Sequence, residues 1–348
     1  MNKRKVQLIG NSTYTVSLPK RWAVKTGLEK GRAIALIPQA SGYLVIVPDH
    51  GRLTDKKEGV IEVEATTAPD SITRTIIASY LNGCDRLTVT SDESLTVEQS
   101  AAIKRVQRKL VGLERVDESS DMIILDSLIN IEDLKVWRGL TRIHNVAAMM
   151  QEEAIVALST GEVSLADSVL QRDDDVDRLH FLILRQLRQA ASNPAVASML
   201  GIEPIECLDL QSVTKRIEHI ADHAENVARK VKELMDHGVD EELVTRLEEI
   251  SQMAQGIHEG AGRALFEEDL TLANEVLNKR LRMKDVCRNF REELPDESIF
   301  VNVVTNAMVE SLERIGDYGT DIAEVAINRA ARQEVSPEIE GAPIAGRR

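Results

Sequence analysis

The sequence predicts a multidomain α+β protein in which short β-rich units precede a long all-α region. Its 348 residues exceed the size of one typical domain. Turn residues recur every few positions up to about residue 130, whereas from residue 131 onward the apolar residues follow a helical period. Aromatic residues make up only 3% of the chain, so the core must come mainly from aliphatic side chains, as in helical bundles.

The composition excludes several classes of protein. Cys84, Cys207 and Cys287 lie far apart, which excludes zinc-finger and thioredoxin sites and argues against a disulfide framework. We therefore expect a reducing, cytoplasmic compartment. The basic first residues are not followed by the apolar stretch of a secretory signal. No apolar run is long enough to cross a bilayer, so we expect no membrane insertion.

Residues 1–50 have the pattern of a small β domain. Pro19 interrupts strand pairing and begins a short helical turn through Trp22. Four strands in fifty residues bury too little surface to be stable alone, so we predict an obligate homodimer or a higher oligomer. The predicted strands cover residues 6–9, 14–18, 33–38 and 43–48.

Charge is unevenly distributed along the chain. The net charge is −14, yet residues 1–50 hold eight Lys and Arg residues against Glu29 and Asp49. A basic end on an acidic body is typical of a protein that binds nucleic-acid phosphates with one domain. A cluster of solvated surface charges is the alternative explanation.

Residues 10–22, GNSTYTVSLPKRW, and residues 27–31, GLEKG, resemble the AbrB/SpoVT/MazE family. The resemblance implies an interlaced dimer with a swapped-hairpin β-barrel that places basic side chains on DNA. Arg32 departs from the family pattern, which usually has an acidic residue at this position. The residues expected at the DNA are Lys3, Arg4, Lys5, Asn11, Ser12, Tyr14, Lys20, Arg21 and Lys25.

Residues 51–130 predict a small α/β domain of the βαβαββ type. Asp70 is the predicted cap of a helix over 71–81, and Thr96 with Gln99 predicts a capping box for a helix that reaches Val111. The segment contains no Gly-rich phosphate loop, no Ser/His/Asp grouping and no metal pattern. A spacer and a small ligand-sensing unit are both open interpretations.

From residue 131 onward the sequence predicts two sets of three helices. The sets are repeats over 131–236 and 240–332, and the tail over 333–348 is predicted to be disordered. The predicted helices cover 131–160, 164–193, 206–236, 240–266, 268–292 and 300–332.

The third helix of each set carries an internal repeat. Residues 217–228, IEHIADHAENVA, align with residues 312–323, LERIGDYGTDIA, and small residues at 221, 224, 316 and 319 allow a neighbouring helix to approach closely. The second run closely resembles the signature helix of the PhoU family of phosphate-uptake regulators. Over residues 131–330 this resemblance implies two three-helix repeats with carboxylate pairs that bind iron or zinc. It also implies a phosphate ABC transporter or a sensor kinase as partner.

Carboxylate pairs spaced by four residues are the candidate metal ligands. This spacing places both carboxylates on one helix face, where their repulsion would be relieved by a hard or borderline cation. A solvated acidic face, or carboxylates paired with Arg, is the alternative. In the second repeat Arg280 and Lys284 stand where a carboxylate pair is expected, and they could replace the cation. The predicted ligands are Asp173, Asp177, Glu218, Asp222, Glu313 and Asp317.

Histidines near these pairs are further candidates. His180 shares a helix face with Asp173 and Asp177, and His219 with His223 lies beside Glu218, so either group could add nitrogen ligands. Partly exposed helix histidines with water or carboxylate partners are the commoner situation.

Three functions follow as hypotheses. The first is a DNA-binding regulator of phosphate uptake and homeostasis, whose bundle acts as a sensor or docking module. The alternative is an adaptor that negatively regulates a phosphate ABC transporter or a sensor kinase without direct DNA binding. A ferritin-like enzyme requires Glu-x-x-His motifs, and no histidine follows a Glu by three positions. We therefore predict that the protein is not an enzyme.

Overall fold

The computed structural model divides the chain into two compact units, with the boundary between Asp55 and Lys56. A gap at residues 49–55 separates the described parts of the two units. The structure describes residues 3–10, 12–38, 42–48, 56–130, 134–235, 237–293 and 298–335.

The described part of the first unit consists of two antiparallel hairpins and one short helix. Strand β1 (Gln7–Ile9) pairs with β2 (Thr13–Thr15), and β3 (Ile34–Pro38) pairs with β4 (Leu44–Pro48). Helix α1 (Lys20–Lys25) begins after Pro19, in agreement with the predicted helical turn. The second strand ends at residue 15 rather than at the predicted residue 18. The described strands form two separate two-stranded sheets and no closed barrel.

None of the described residues of the first unit is buried. The side chains of its four strands are exposed or half-buried without a regular alternation, and Tyr14 is 76% exposed. Within one chain, the described part of this unit therefore has no core of its own. The exposed apolar side chains include Val6, Leu8, Ile9, Val16, Leu36, Tyr43 and Leu44.

A four-stranded mixed sheet with two helices forms the beginning of the second unit. Its strand order is β5-β6-β8-β7, with β5 and β6 parallel and the other pairs antiparallel. Helices α2 and α3 pack on each other and share one core with the sheet. The elements are β5 (Glu58–Glu62), α2 (Pro69–Leu81), β6 (Arg86–Thr90), α3 (Val97–Lys109), β7 (Leu113–Glu118) and β8 (Met122–Ser127).

One of the two predicted helix caps in this sheet domain is confirmed. Thr96 and Gln99 form the capping box that begins α3, with each side chain bonded to the backbone N–H of the other residue. Asp70 was the wrong choice for α2. That helix begins two residues before the predicted start at 71, at Pro69, whose fixed φ favours the first helical position, and Ala68 is the cap residue.

Six long helices form the rest of the second unit, close to their predicted bounds. A short helix, α6, lies between the predicted helices 164–193 and 206–236, where no helix is predicted; it begins at Pro194 and is capped by the Asn193 side chain. Helix α10 extends to Val335, inside the predicted disordered tail, and residues 336–348 lie outside the described residues. The helices are α4 (Val136–Thr160), α5 (Val163–Ser192), α6 (Pro194–Leu200), α7 (Glu206–Leu234), α8 (Glu241–Glu267), α9 (Leu270–Glu292) and α10 (Ile299–Val335).

The long helices pack as two trios, α4-α5-α7 and α8-α9-α10, which join through α4 with α8 and α7 with α10. None of the described helices is both long and apolar enough to cross a membrane. Small residues allow the close approach that the repeat predicts. A Cβ on Gly319 would lie 2.8 Å from Ile257 Cγ2, and one on Gly316 would lie 2.9 Å from Met283 Sδ.

The two trios meet through equivalent positions. Gln151 and His258 each lie nine residues before the end of their helices, α4 and α8, and their side chains are 2.7 Å apart. His223 and Tyr318, which are aligned in the internal repeat, also contact each other, with ring centroids 5.8 Å apart. The contact between the trios therefore includes two pairs of residues at corresponding positions in the two repeats.

Candidate metal centre and its counterpart in the second repeat

Three aspartates form a carboxylate cluster between α5 and α7. Asp173 and Asp177 lie four residues apart on α5, and Asp222 faces them from α7. One carboxylate oxygen from each residue lies within 4.8 Å of the other two, and all three side chains are half-buried. The packing of α5 against α7 brings the three carboxylates together.

The electrostatics of the carboxylate cluster suit a cation. Burial, followed by the charges of Glu225, Asp177 and Asp222, raises the pKa of Asp173 to about 7. Burial and the neighbouring carboxylates also raise the pKa of Asp222 to about 6. Burial is the largest cause of both shifts, and repulsion among the carboxylates adds to it; a bound cation would relieve that repulsion. An all-oxygen donor set of this kind favours hard or borderline metal ions.

Glu218 was predicted to join this cluster, but its carboxylate accepts hydrogen bonds from Lys215 Nζ at 2.7 and 2.8 Å. Glu225 was missed. It lies three residues after Asp222, and its charge raises the pKa of Asp173 while its carboxylate accepts a bond from Arg229 at 2.6 Å. The spacing from Asp222 could have identified it, since residues three apart share a helix face.

In the second repeat, Arg280 of α9 stands at the position that corresponds to Asp173 of α5. Arg280 is buried and donates from Nε to Asp317 Oδ1 at 2.8 Å, and its Nη2 lies 3.5 Å from Glu313 Oε1. Arg291 donates to the other oxygen of Glu313 at 2.7 Å. Lys284, the second residue expected to replace the cation, is exposed and forms no ion pair with a described residue. Arg291, in the last turn of α9, is instead the second cation that pairs with Glu313.

Because of these contacts, the charges in the second repeat are already compensated. Burial raises the pKa of Glu313, but the bonds from Arg291 and Arg280 outweigh it and hold this pKa below its ordinary value. A metal ion at Glu313 and Asp317 would have to displace the buried Arg280 guanidinium.

The predicted histidine ligands lie outside the aspartate cluster, although His219 Nε2 lies 3.7 Å from Glu218 Oε2. His219 and His223 pack on the Tyr318 ring of α10, with centroids 4.9 and 5.8 Å away. His180 is buried, and burial lowers its pKa, but it does not belong to the cluster of mutually close carboxylates. None of the three histidines thus joins the aspartate cluster.

A buried histidine pair between the trios was missed. The rings of His144 and His258 have centroids 4.3 Å apart, and Gln151 Nε2 lies 2.7 Å from His258 Nδ1. Burial lowers the pKa of His144 to about 4 and that of His258 well below its ordinary value, so both rings are neutral at pH 7. Gln151 and His258 occupy equivalent positions, nine residues before the ends of α4 and α8, and this is the sequence signal that could have revealed the buried contact.

The predicted DNA-binding side chains are all exposed where the structure describes them. The basic residues among them form no ion pair with another described residue. Asn11 lies outside the described residues. The exposed residues are Lys3, Arg4, Lys5, Ser12, Tyr14, Lys20, Arg21 and Lys25.

The fold and the site define a class of protein: a duplicated three-helix bundle with an acidic cluster in one repeat and an internal arginine in the other. The PhoU domain family matches residues 140–231 and 247–326, one match in each trio. The helical region of this chain is therefore PhoU-like. The AbrB/SpoVT resemblance of residues 10–31 lies outside this match and stays a prediction.

Curated relatives are similar to part of the chain. The chain is 25% identical over 186 residues to the phosphate-specific transport system accessory protein PhoU homolog 1 of Thermotoga maritima, which covers 50% of this chain and 77% of that protein. It is 26% identical over 130 residues to the PhoU homolog of Pseudomonas aeruginosa, covering 36% of this chain and 51% of that protein.

Among the solved structures to which the chain is similar is PhoU from Pseudomonas aeruginosa, with a TM-score of 0.47, 23% identity and coverage of 57% of this chain and 95% of that chain. Another is the phosphate transport system regulatory protein PhoU from Streptococcus pneumoniae, with a TM-score of 0.49, 16% identity and coverage of 59% and 96%.

Proposed function

We propose that the protein is an adaptor for phosphate uptake, which docks its PhoU-like bundle on a phosphate transport system or its sensor kinase and restrains uptake. The observation that carries this proposal is the match of both helical trios to the PhoU domain. Curated relatives that match part of the chain are named as accessory proteins of phosphate-specific transport. The role is regulatory rather than catalytic.

A metal ion belongs to this proposal. Asp173, Asp177 and Asp222 would hold it, and their oxygen donors would bind iron or zinc between α5 and α7. The bound ion would offset the repulsion among the three carboxylates and tie the two helices together. We place this site in the first repeat only, because Arg280 supplies the positive charge in the second.

The uptake role is tested in cells that lack the protein. We expect such cells to take up radiolabelled phosphate faster than normal cells in phosphate-rich medium, and the full-length chain to restore restraint. The double variant Lys20→Glu and Arg21→Glu should also restore it, because the adaptor role does not use the basic end. Uptake that is unchanged by loss of the protein would contradict the proposal.

A second function, DNA binding by a homodimer, is favoured by the first unit. Its basic side chains are exposed and have no ion-pair partner among the described residues, and its apolar side chains have no core within one chain. A second copy would cover those apolar side chains and double the basic surface. This function would make the bundle a sensor for a regulator of phosphate genes.

DNA binding is tested by fluorescence anisotropy on promoters of phosphate-uptake genes at several salt concentrations. Phosphate contacts predict that affinity falls steeply with salt. The Lys20→Glu and Arg21→Glu variant should lose binding, whereas the equally charged control Lys30→Glu and Lys56→Glu should retain more of it. Salt-insensitive binding, or equal loss in both variants, would reject the assigned residues. Light scattering of the same samples measures the oligomeric state.

A further inference from the structure

The sheet domain over residues 56–130 is anchored to α5 by one buried arginine. Arg185 donates to the backbone oxygens of Tyr80 and Cys84 at 2.6 and 2.8 Å and to Asp85 Oδ1 at 2.8 Å. Its guanidinium also lies over the Tyr80 ring, 4.8 Å from the centroid. The side chain is only 6% exposed, so this anchor is shielded from solvent.

A second polar contact joins the same domain to α5 at the carboxylate cluster. Lys109, the last residue of α3, places its Nζ 3.4 Å from Asp177 Oδ2 and 4.0 Å from Asp174 Oδ1. Lys109 is 49% exposed, so this contact is far weaker than the one at Arg185. The two anchors are eight residues apart on α5, or about 12 Å along the helix axis.

Lys109 is the cation that the sheet domain contributes to the carboxylate cluster. Its Nζ lies 3.4 Å from an oxygen of Asp177, one of the three residues of the carboxylate cluster. Lys215 is already bonded to Glu218 on its own helix. The ammonium of Lys109 and a metal ion would therefore seek the same oxygens of Asp177.

We propose that Lys109 and a metal ion compete for Asp177, so that the sheet domain responds to metal binding. Two cations cannot share these oxygens without strong repulsion. When Asp177 binds a metal ion, Lys109 leaves it and the end of α3 moves away from α5, while Arg185 keeps the domain attached. By thermodynamic linkage, any partner that holds α3 against α5 weakens metal binding. The inference rests on the metal site of the proposed function and gives the sheet domain a role.

Zinc titration of the full-length protein by calorimetry tests the competition. We expect Lys109→Met to bind Zn²⁺ about two- to fivefold more tightly than the natural protein, in keeping with the small energies of exposed ion pairs. Lys104→Met is the matched control. Lys104 lies on the same helix, is 48% exposed and pairs with Glu118 inside the sheet domain, so its loss should leave zinc affinity unchanged.

Hydrogen exchange supplies a readout that does not depend on affinity. Zn²⁺ should increase amide exchange in the last turns of α3 in the natural protein and have little effect there in Lys109→Met. The double variant Asp173→Asn and Asp222→Asn keeps Asp177 for Lys109 and should show no response to zinc.

Two results would overturn the inference: equal or weaker zinc affinity in Lys109→Met, or exchange in α3 that zinc does not alter. If the natural protein binds no zinc, the metal site fails together with this inference. The phosphate-uptake experiment in cells would then still decide the adaptor role separately.

Discussion

Arg280 occupies in α9 the place that Asp173 occupies in α5, so a guanidinium in one repeat stands where the other has a carboxylate. Arg280 bonds to Asp317, and Asp173 faces Asp222, the counterpart of Asp317 on the third helix. The same helix packing thus produces an ion pair in one trio and a repulsive carboxylate cluster in the other. The two repeats have diverged in charge while keeping their fold.

Replacing Arg280 should destabilise the second trio. Arg280→Met leaves Glu313 and Asp317 without their buried partner, and we expect a loss of about 1–3 kcal/mol in the free energy of unfolding. Urea denaturation measures it. Arg282→Met, an exposed neighbour on the same helix, serves as the control and should change stability little. Equal losses in the two variants would contradict the role assigned to Arg280.

Removing one carboxylate from the cluster should have the opposite effect. The pKa of Asp173 is raised from 3.8 to about 7 in the folded state, so the folded protein keeps a proton that the unfolded chain releases in this range. Stability therefore falls as pH rises from about 4 to 7. Asp173→Asn removes this loss, and we expect a gain of about 1–2 kcal/mol at pH 8 in the presence of a chelator.

The gain from Asp173→Asn should disappear below pH 4, where the carboxyl is protonated in both states. Thermal melting of both proteins across this pH range measures the difference in their stability. Asp175→Asn, an exposed neighbour on α5, should show no such pH dependence. Added Zn²⁺ should stabilise the natural protein more than Asp173→Asn, because the variant has lost a ligand.

The buried histidine pair should make the protein sensitive to acid. The pKa of His144 is lowered by burial to about 4, so between pH 6.5 and 4 the unfolded chain binds a proton that the folded state excludes. Stability therefore falls as pH decreases through this window. His144→Phe should reduce this dependence, measured by urea denaturation at pH 7 and pH 5, and the part that remains comes from His258, whose pKa is also lowered by burial. His237→Gln, outside the buried pair, should leave the dependence intact.

The closeness of α10 to α8 should make Gly319 intolerant of any side chain. Alanine has the higher helix propensity, by about 1 kcal/mol, but a Cβ at Gly319 would lie 3.3 Å from the backbone nitrogen of His258. We expect Gly319→Ala to lower stability by about 1–3 kcal/mol. Gly256→Ala in α8 has open space around its Cβ and should be neutral or stabilising. Chemical denaturation of both variants decides whether close packing or propensity governs this position.

The periodicity of the sequence determined the number, order and approximate bounds of the six long helices. Helix formation depends on local spacing of apolar residues and on caps, and both are visible along the chain. The internal repeat likewise identified the third helices and the small residues at 316 and 319. Local signals failed at α6, where Pro194 begins a helix instead of interrupting the chain, and at α2, where Pro69 sets the first turn.

Only the tertiary structure decided which charged groups meet. Spacing along a helix defines a face, but the partner of that face depends on how neighbouring helices rotate and approach. Glu218 shares a helix face with Asp222 yet bonds Lys215, and His219 turns to Tyr318. The contact of Lys109 with Asp177 joins residues 68 positions apart, a separation at which no local pattern carries information.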